Sequence, residues 1–215
     1  MPTNVFLVRH AETFGNIEGR FCGHSETELT EKGEAQGRAL GLRLKGQHFD
    51  AAYSSDLSRA HRTARFALEH HAEPLAPVLD PGLREMHYGE WEARMGAEIG
   101  RDYPDLMREF FRCKAPAPGG ESIPQVRERT AAALRSAVAA HPGGDILVVS
   151  HGNAIMAMIA ELLGVPYEST WSFTVANTSI TRMVFGKSGR MTLASFNDHA
   201  HLQEDPASLA VYSRG

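Results

Sequence analysis

The sequence predicts an α/β fold, a three-layer sandwich in which a mostly parallel central sheet is flanked by helices, and three observations carry that expectation. Two short continuous apolar runs, Val5 to Val8 and Ile146 to Val149, are rich in β-formers and read as strands buried on both faces. Longer segments with apolar residues at helical spacing lie between the apolar runs. Polar turns bound both kinds of segment, giving the alternation expected of βα units. A chain of 215 residues suits one domain spanning 1–215, since single domains of this class reach ~200 to 250 residues.

Taken in order, Val5 to Val8 is a central strand ending at Arg9-His10. Leu29-Thr30 opens a helix to about Gly46, with Thr30 as N-cap and Ala35, Ala39 and Leu42 on the buried face. Ala51 to Ser54 is a second strand. The helix after it, Asp56 to His70, lines Leu57, Ala60, Ala64, Ala67 and Leu68 along one face and carries Arg59 in its first turn. Pro77 to Leu79 reads as an edge strand, and Gly82-Leu83-Arg84-Glu85 begins a loop. Met95 to Cys113 is helical but broken at Pro104, a small lid-like helical insertion at about 93–118 that closes in the loop Lys114 to Gly120. Ser122-Ile123-Pro124-Gln125 is a capping box with proline in the first turn, and Ile123, Val126, Ala133, Leu134, Ala137 and Val138 form the apolar face of the helix it opens. That helix ends near His141-Pro142-Gly143-Gly144. The strand Ile146 to Val149 then runs into Ser150-His151-Gly152, and a helix from Asn153 to Leu163 stops at Gly164. Ser179 to Phe185 and Met191 to Phe196 alternate around Gly186-Lys187-Ser188-Gly189 as a hairpin, whose free edge would serve a homodimer. Beyond Asn197 the chain is polar, and no element is assigned.

Composition narrows the function classes. Apolar residues are 42% and charged residues 22%, ordinary for a globular chain. A net charge of −4 leaves no basic excess for a nucleic acid or an anionic membrane surface, so any anion must be held by a local cluster of arginines. The longest apolar stretch, Ala154 to Ala160, is too short to span a bilayer, and the N-terminus lacks a basic leader. Cys22 and Cys113 form neither a disulfide framework nor a C-x-x-C pair, so a soluble protein of the reducing cytoplasm is expected.

The chemistry gathers where strands end. Val5 to Val8 ends in Arg9-His10, and Ile146 to Val149 ends in Ser150-His151-Gly152. In an open parallel α/β sheet both histidines would face one crevice, with Arg59 on the same edge and helix N-termini offering free N–H groups to an anion. Taken singly, His10 or His151 reads as a satisfied core or surface histidine; in this paired order they read as a site. Two histidines and two arginines without an acidic cage do not suit a metal, because arginine repels a cation. They suit phosphate, whose oxygens match the planar guanidinium fork. A neutral imidazole beside that phosphate is a competent nucleophile, provided its far ring nitrogen is fixed by a hydrogen bond.

Leu7 to Thr13 resembles the arginine-histidine-glycine motif of the histidine phosphatase superfamily, in the branch of the cofactor-dependent phosphoglycerate mutases. Ser54 to Ala60 with Thr63-Ala64 is similar to that family's second arginine segment. Leu83-Arg84-Glu85-Met86 with Gly89-Glu90-Trp91-Glu92 resembles its proton-donor loop, Pro118-Gly119-Gly120-Glu121-Ser122 its phosphatase-type helix entry, and Val149-Ser150-His151-Gly152 its second histidine. The resemblance covers nearly the whole chain and implies a phosphoglycerate mutase-like fold. It implies that His10 is phosphorylated, that Arg9, Arg59 and His151 bind the phosphoryl group, and that Glu85 is the general acid. It also implies a phosphate contact from Asn16 and substrate contacts near Cys22, Gly23 and Gly152, with no metal and no organic cofactor. The chain departs from the pattern at Ala11, where glycine is commoner, and at Cys22, where a hydroxyl or amide is usual. At Cys22 the Gly23 N–H is left to make the contact.

The mutases of that branch carry a longer insertion between acid and second histidine, with basic residues that retain a bisphosphate. The compact Met95 to Pro118 segment therefore favours a phosphomonoesterase, a histidine acid phosphatase-like hydrolase of small phosphorylated metabolites. A phosphoglycerate mutase and a non-catalytic phosphate-binding module are the alternatives. The partner expected is a small phosphorylated substrate or inorganic phosphate. His70-His71 and His199-Ala200-His201 read as surface pairs rather than metal ligands, and Met156 and Met158 as core. Tyr88, Trp91, Phe110 and Phe111 read equally as a substrate-pocket lining or as ordinary packing.

Overall fold

Val5 and Leu7 of the first strand face one apolar cluster while Phe6 and Val8 face a second, and Ile146/Val148 and Leu147/Val149 of the neighbouring strand divide in the same way. Strands with helices on both sides have no solvent face, which is why these segments are continuous apolar runs rather than alternating ones. A computed structural model describes residues 1–202; residues 203–215, the end of the unassigned tail, lie outside the described residues.

The sheet is six-stranded and mixed, in the order β3-β2-β4-β1-β5-β6. β1 (Thr3–Arg9), β4 (Asp145–Ser150), β2 (Ala51–Ser54) and the two-residue edge β3 (Val78–Leu79) run parallel, whereas β5 (Ile180–Phe185) and β6 (Met191–Asp198) add antiparallel. Arg9 pairs with Ser150 in the β1/β4 register, so the residues after each, His10 and His151, emerge side by side at the carboxyl edge.

Helices α6 (Ile123–Ala140) and α7 (Gly152–Leu163) cover one face, with Leu134, Ile155 and Ile159 in the first cluster. α2 (Glu31–Leu44) and α3 (Ser58–Leu68) cover the other, with Leu40, Leu44, Ala60, Ala64 and Leu68 in the second. The capping box at Ser122 forms through Gln125, whose side-chain oxygen accepts from the Ser122 N–H at 2.8 Å. Gly164 ends α7 with φ 65°, the left-handed conformation glycine adopts freely.

The expected buried face of α2 is wrong. Ala35 and Leu42 are exposed and Ala39 is only partly covered, while Gly33, Gln36, Gly37, Leu40, Gly41 and Leu44 are buried. The glycines decide this: a Cβ on Gly37 would sit 2.5 Å from the Phe66 ring. Close approach of α2 to α3 therefore selects the glycine stripe over the alanine and leucine stripe. On α6, Arg127, Thr130 and Ala131 join the buried face, and Ala133 and Val138 are only half-buried.

A short helix, α1 (Phe14–Ile17), follows β1 where no element is expected. Thr13 caps it, and Thr13 and Asn16 exchange side-chain-to-backbone hydrogen bonds. In the insertion, Pro104 begins α5 (Pro104–Phe111) rather than merely ending α4 (Gly96–Asp102), as suits a residue with no N–H to lose in the first turn. The insertion packs through aromatic edges: Phe21 lies 5.0 Å from Tyr88 and 5.8 Å from Trp91, and Trp91 5.4 Å from Phe110. Tyr88, Trp91 and Phe110 are core residues, and Phe111 is exposed. Among the described residues no helix is long and apolar enough to cross a membrane.

Candidate active site

His10 is buried directly after β1, and its ring lies 5.1 Å from that of His151. Its Nδ1 is 2.7 Å from the Ala11 carbonyl oxygen. A carbonyl only accepts, so Nδ1 carries the proton and Nε2 keeps its lone pair. Burial, with Arg59 and Arg9 nearby, holds the His10 pKa well below the ordinary imidazole value, so the ring is neutral near pH 7.

His151 is held in the opposite tautomer. Arg59 Nε donates to its Nδ1 at 3.2 Å, so the proton sits on Nε2, a buried atom without a hydrogen-bond partner among the described residues. Burial, then Arg59 and His10, lower its pKa as well. Arg9 Nε is a second buried donor in the same position. It lies near His151, because a Cβ on Gly152 would fall 3.3 Å from it. Gly152 thus admits the Arg9 guanidinium against the start of α7. Two unmet donors from adjacent side chains fit an anion that accepts from both.

Arg59, buried in the first turn of α3, is fixed by its own partners. Its terminal nitrogens donate to the carbonyls of Cys22 at 2.9 Å, Gly23 at 2.7 Å and Ser25 at 2.9 Å. Cys22 and Gly23 therefore meet the site through backbone oxygens. The Cys22 thiol packs against Gly15, and burial raises its pKa. The Asn16 side-chain oxygen accepts from the Thr13 N–H at 3.1 Å and from Asn177 Nδ2 at 3.3 Å, which leaves the Asn16 amide hydrogens to be offered elsewhere.

Glu85 is buried beside the start of α7. Its carboxylate accepts from the backbone N–H groups of Met86, Asn153 and Ala154 at 2.8 to 3.1 Å. Burial outweighs those bonds and the Arg59 charge, and raises its pKa. The expectation that α7 offers its N-terminus to the anion is thereby corrected: at least two of its first N–H groups hold Glu85. The other nearby acids are committed elsewhere. Asp80 caps a turn through the Gly82 N–H at 2.7 Å, Glu90 is exposed, and Glu92 accepts from the N–H groups of His24, Ser25 and Tyr88.

The structure brings His10, His151, Arg9, Arg59, Asn16, Glu85 and Gly152 into this neighbourhood, with the Cys22-Gly23 backbone. Sequence reasoning missed Asn177, whose Nδ2 donates to the His10 carbonyl at 2.9 Å, and the segment around it: Thr178 N–H donates to the Arg9 carbonyl, and Arg9 Nη1 to the Val175 carbonyl at 2.6 Å. A polar Asn-Thr-Ser break before β5 is the only signal, and it reads as a turn. His201 departs from the expected surface pair, being half-buried with Nε2 3.2 Å from Thr178 Oγ1 and its pKa lowered to about 4, chiefly by burial. Among the described residues no group of three or more His, Cys, Asp or Glu could hold a metal ion.

The chain is similar to several known proteins. Phosphoserine phosphatase 1 of Hydrogenobacter thermophilus is 32% identical over 93% of this chain and 94% of its own length. A probable phosphoglycerate mutase GpmB of Cronobacter sakazakii is 34% identical over 86% of each chain. Among solved structures, Bacillus stearothermophilus YhfR superposes with a TM-score of 0.85 at 32% identity, over 93% of this chain and 98% of that one. The sequence pattern of the histidine phosphatase superfamily (branch 1) matches residues 5–199, and the chain belongs to that superfamily.

Proposed function

We propose that this chain, as a single domain over 1–215, is a phosphomonoesterase that hydrolyses small phosphorylated metabolites through a phosphohistidine at His10. The observation that carries the reading is the pair of buried, neutral imidazoles in opposite tautomers, one with a free lone pair at Nε2 and the other with a free N–H there. His10 Nε2 attacks phosphorus as the bond to the leaving oxygen breaks, and Glu85 gives that oxygen its proton. Arg9, Arg59, the His151 Nε2–H and the Asn16 amide neutralise the charge on the phosphoryl oxygens. Glu85, now a carboxylate, takes a proton from water whose oxygen attacks phosphorus. The P–N bond breaks, and His10 returns to its neutral form with Nδ1 still bonded to Ala11.

Each pKa shift serves this cycle. A depressed His10 pKa keeps the nucleophile unprotonated below the ordinary imidazole range, and a raised Glu85 pKa keeps the acid protonated above the usual carboxylate range. Activity is expected to be bell-shaped, the acid limb set by His10 and the alkaline limb by Glu85. Phosphate held by arginines needs no metal. The phosphoserine phosphatase relative supports the substrate class, and a chain with only two cysteines, Cys22 and Cys113, and no C-x-x-C pair suits a cytoplasmic location. For a homodimer, the surface to test is β6, the edge strand of the sheet among the described residues.

The test uses p-nitrophenyl phosphate and 3-phosphoglycerate with a chelator present. Hydrolysis that persists with the chelator and falls by about 10³-fold or more in His10→Ala supports the reading. Conversion of 3-phosphoglycerate to its isomer alone, dependent on bisphosphoglycerate, would make the protein a mutase, which the GpmB relative keeps in play. A parent that binds phosphate without turning anything over would be a binding module.

A further inference from the structure

Arg129 lies on α6, outside every segment that carries the resemblance, and its side chain is 24% exposed. All of its donors are spent on one neighbourhood. Nε and Nη2 grip the two oxygens of Glu121 at 2.8 and 2.7 Å, while Nη1 donates to the carbonyls of Gly82 and Arg84, both at 3.0 Å. Nη2 also reaches the Glu85 carbonyl at 3.2 Å. Glu121 returns to the same loop: its carboxylate accepts from the His87 N–H and its own N–H donates to the His87 carbonyl, each at 2.9 Å.

The backbone on both sides of Glu85 is therefore clamped to α6 by one guanidinium and its carboxylate partner. The Glu85 side chain is clamped independently to the start of α7. Between the two anchors the carboxyl keeps little freedom, as a proton donor to a single leaving oxygen requires.

We infer that Arg129, ion-paired with Glu121, is the positioning residue for Glu85 and sets how well that carboxyl protonates the leaving group. The inference rests on the proposed role of Glu85 as general acid. A clamp of this kind has a chemical signature that a merely structural residue lacks. p-Nitrophenolate departs with little help, whereas the alkoxide of phosphoserine or glycerol phosphate must be protonated. Loss of acid positioning therefore falls on alkyl phosphates.

The experiment compares kcat/KM on p-nitrophenyl phosphate and on phosphoserine or glycerol phosphate, whichever the parent turns over. The panel is the parent, Arg129→Lys, Arg129→Ala, Glu121→Gln and Glu85→Gln, with orthovanadate inhibition measured alongside. Lysine keeps the charge but not the planar fork, so Arg129→Lys provides a folded test even if the alanine variant does not fold. The Arg129 and Glu121 variants are expected to lose at least about tenfold more on the alkyl phosphate than on p-nitrophenyl phosphate, with vanadate inhibition unchanged. Equal losses on the two substrates, or none, would overturn the inference if Glu85→Gln itself discriminates between them. Should Glu85→Gln lose equally on both, the acid role fails, and the inference with it.

Discussion

Glu85 and Glu92 share a loop and a residue type, yet their carboxyls are shifted in opposite directions. For Glu85, burial dominates over three backbone donors and the Arg59 charge, and the pKa rises. Burial also acts on Glu92, but the Ser25 hydroxyl and the N–H groups of Tyr88, His24 and Ser25 together outweigh it, and that pKa falls. On the proposed mechanism the first gives up a proton, while the second is held as an anion that binds two loops together. Glu85→Gln is expected to lower kcat on alkyl phosphates by about 10² to 10⁴-fold. Glu92→Gln instead leaves that chemistry in place and lowers stability by about 1 kcal/mol in urea unfolding, because a half-buried charged acceptor of several donors is lost. The reverse pattern would exchange the two assignments.

At the scale of elements, α2 and α7 show how backbone proximity overrides side-chain pattern. Counting apolar side chains on α2 picks Ala35, Ala39 and Leu42, but a helix pressed against Phe66 needs the face with no Cβ. Gly37→Ala, although favoured by helix propensity, is expected to destabilise by about 1 to 3 kcal/mol through overpacking, and Leu42→Ala by less than about 0.5 kcal/mol. Thermal or urea unfolding of the two variants decides, and equal costs would refute the glycine-face packing. α7 begins under the same constraint at Gly152, where the missing side chain admits Arg9.

For the molecule as a whole, the site is a stability liability at low pH. His10 and His151 are kept neutral in the fold, with pKa values below the ordinary 6.5, and His201 follows at about 4. The unfolded chain gains protons near pH 6.5 that the folded chain refuses, so this stability is present above that pH and lost as pH falls below it. Glu85 works the other way, since its raised pKa favours the fold at low pH and costs stability as pH rises. Four histidines, with His24 also lowered chiefly by burial, against one carboxyl should lower the melting temperature between about pH 7.5 and pH 5.5, and His10→Gln should flatten that slope. Parallel slopes in the two proteins would show that His10 is not held neutral.

The strand cores, the caps at Thr30 and Ser122, the stop at Gly164, and the placement of His10 and His151 at the ends of strands were legible in the sequence, because each depends on local periodicity and on residues close in the chain. It also carried the five segments by which the family is recognised. Tertiary contacts alone settle that β1 and β4 are neighbours, which face of α2 is buried, that the Cys22 carbonyl accepts from Arg59, that Glu85 takes the Asn153 and Ala154 N–H groups at the start of α7, and that Asn177 and Arg129 bond the His10 and Glu85 carbonyls. Those facts rest on contacts between residues distant in sequence, such as Asn177 with His10 and Arg129 with Gly82. No local period records such a contact, because its energy exists only once the chain has brought the two ends together.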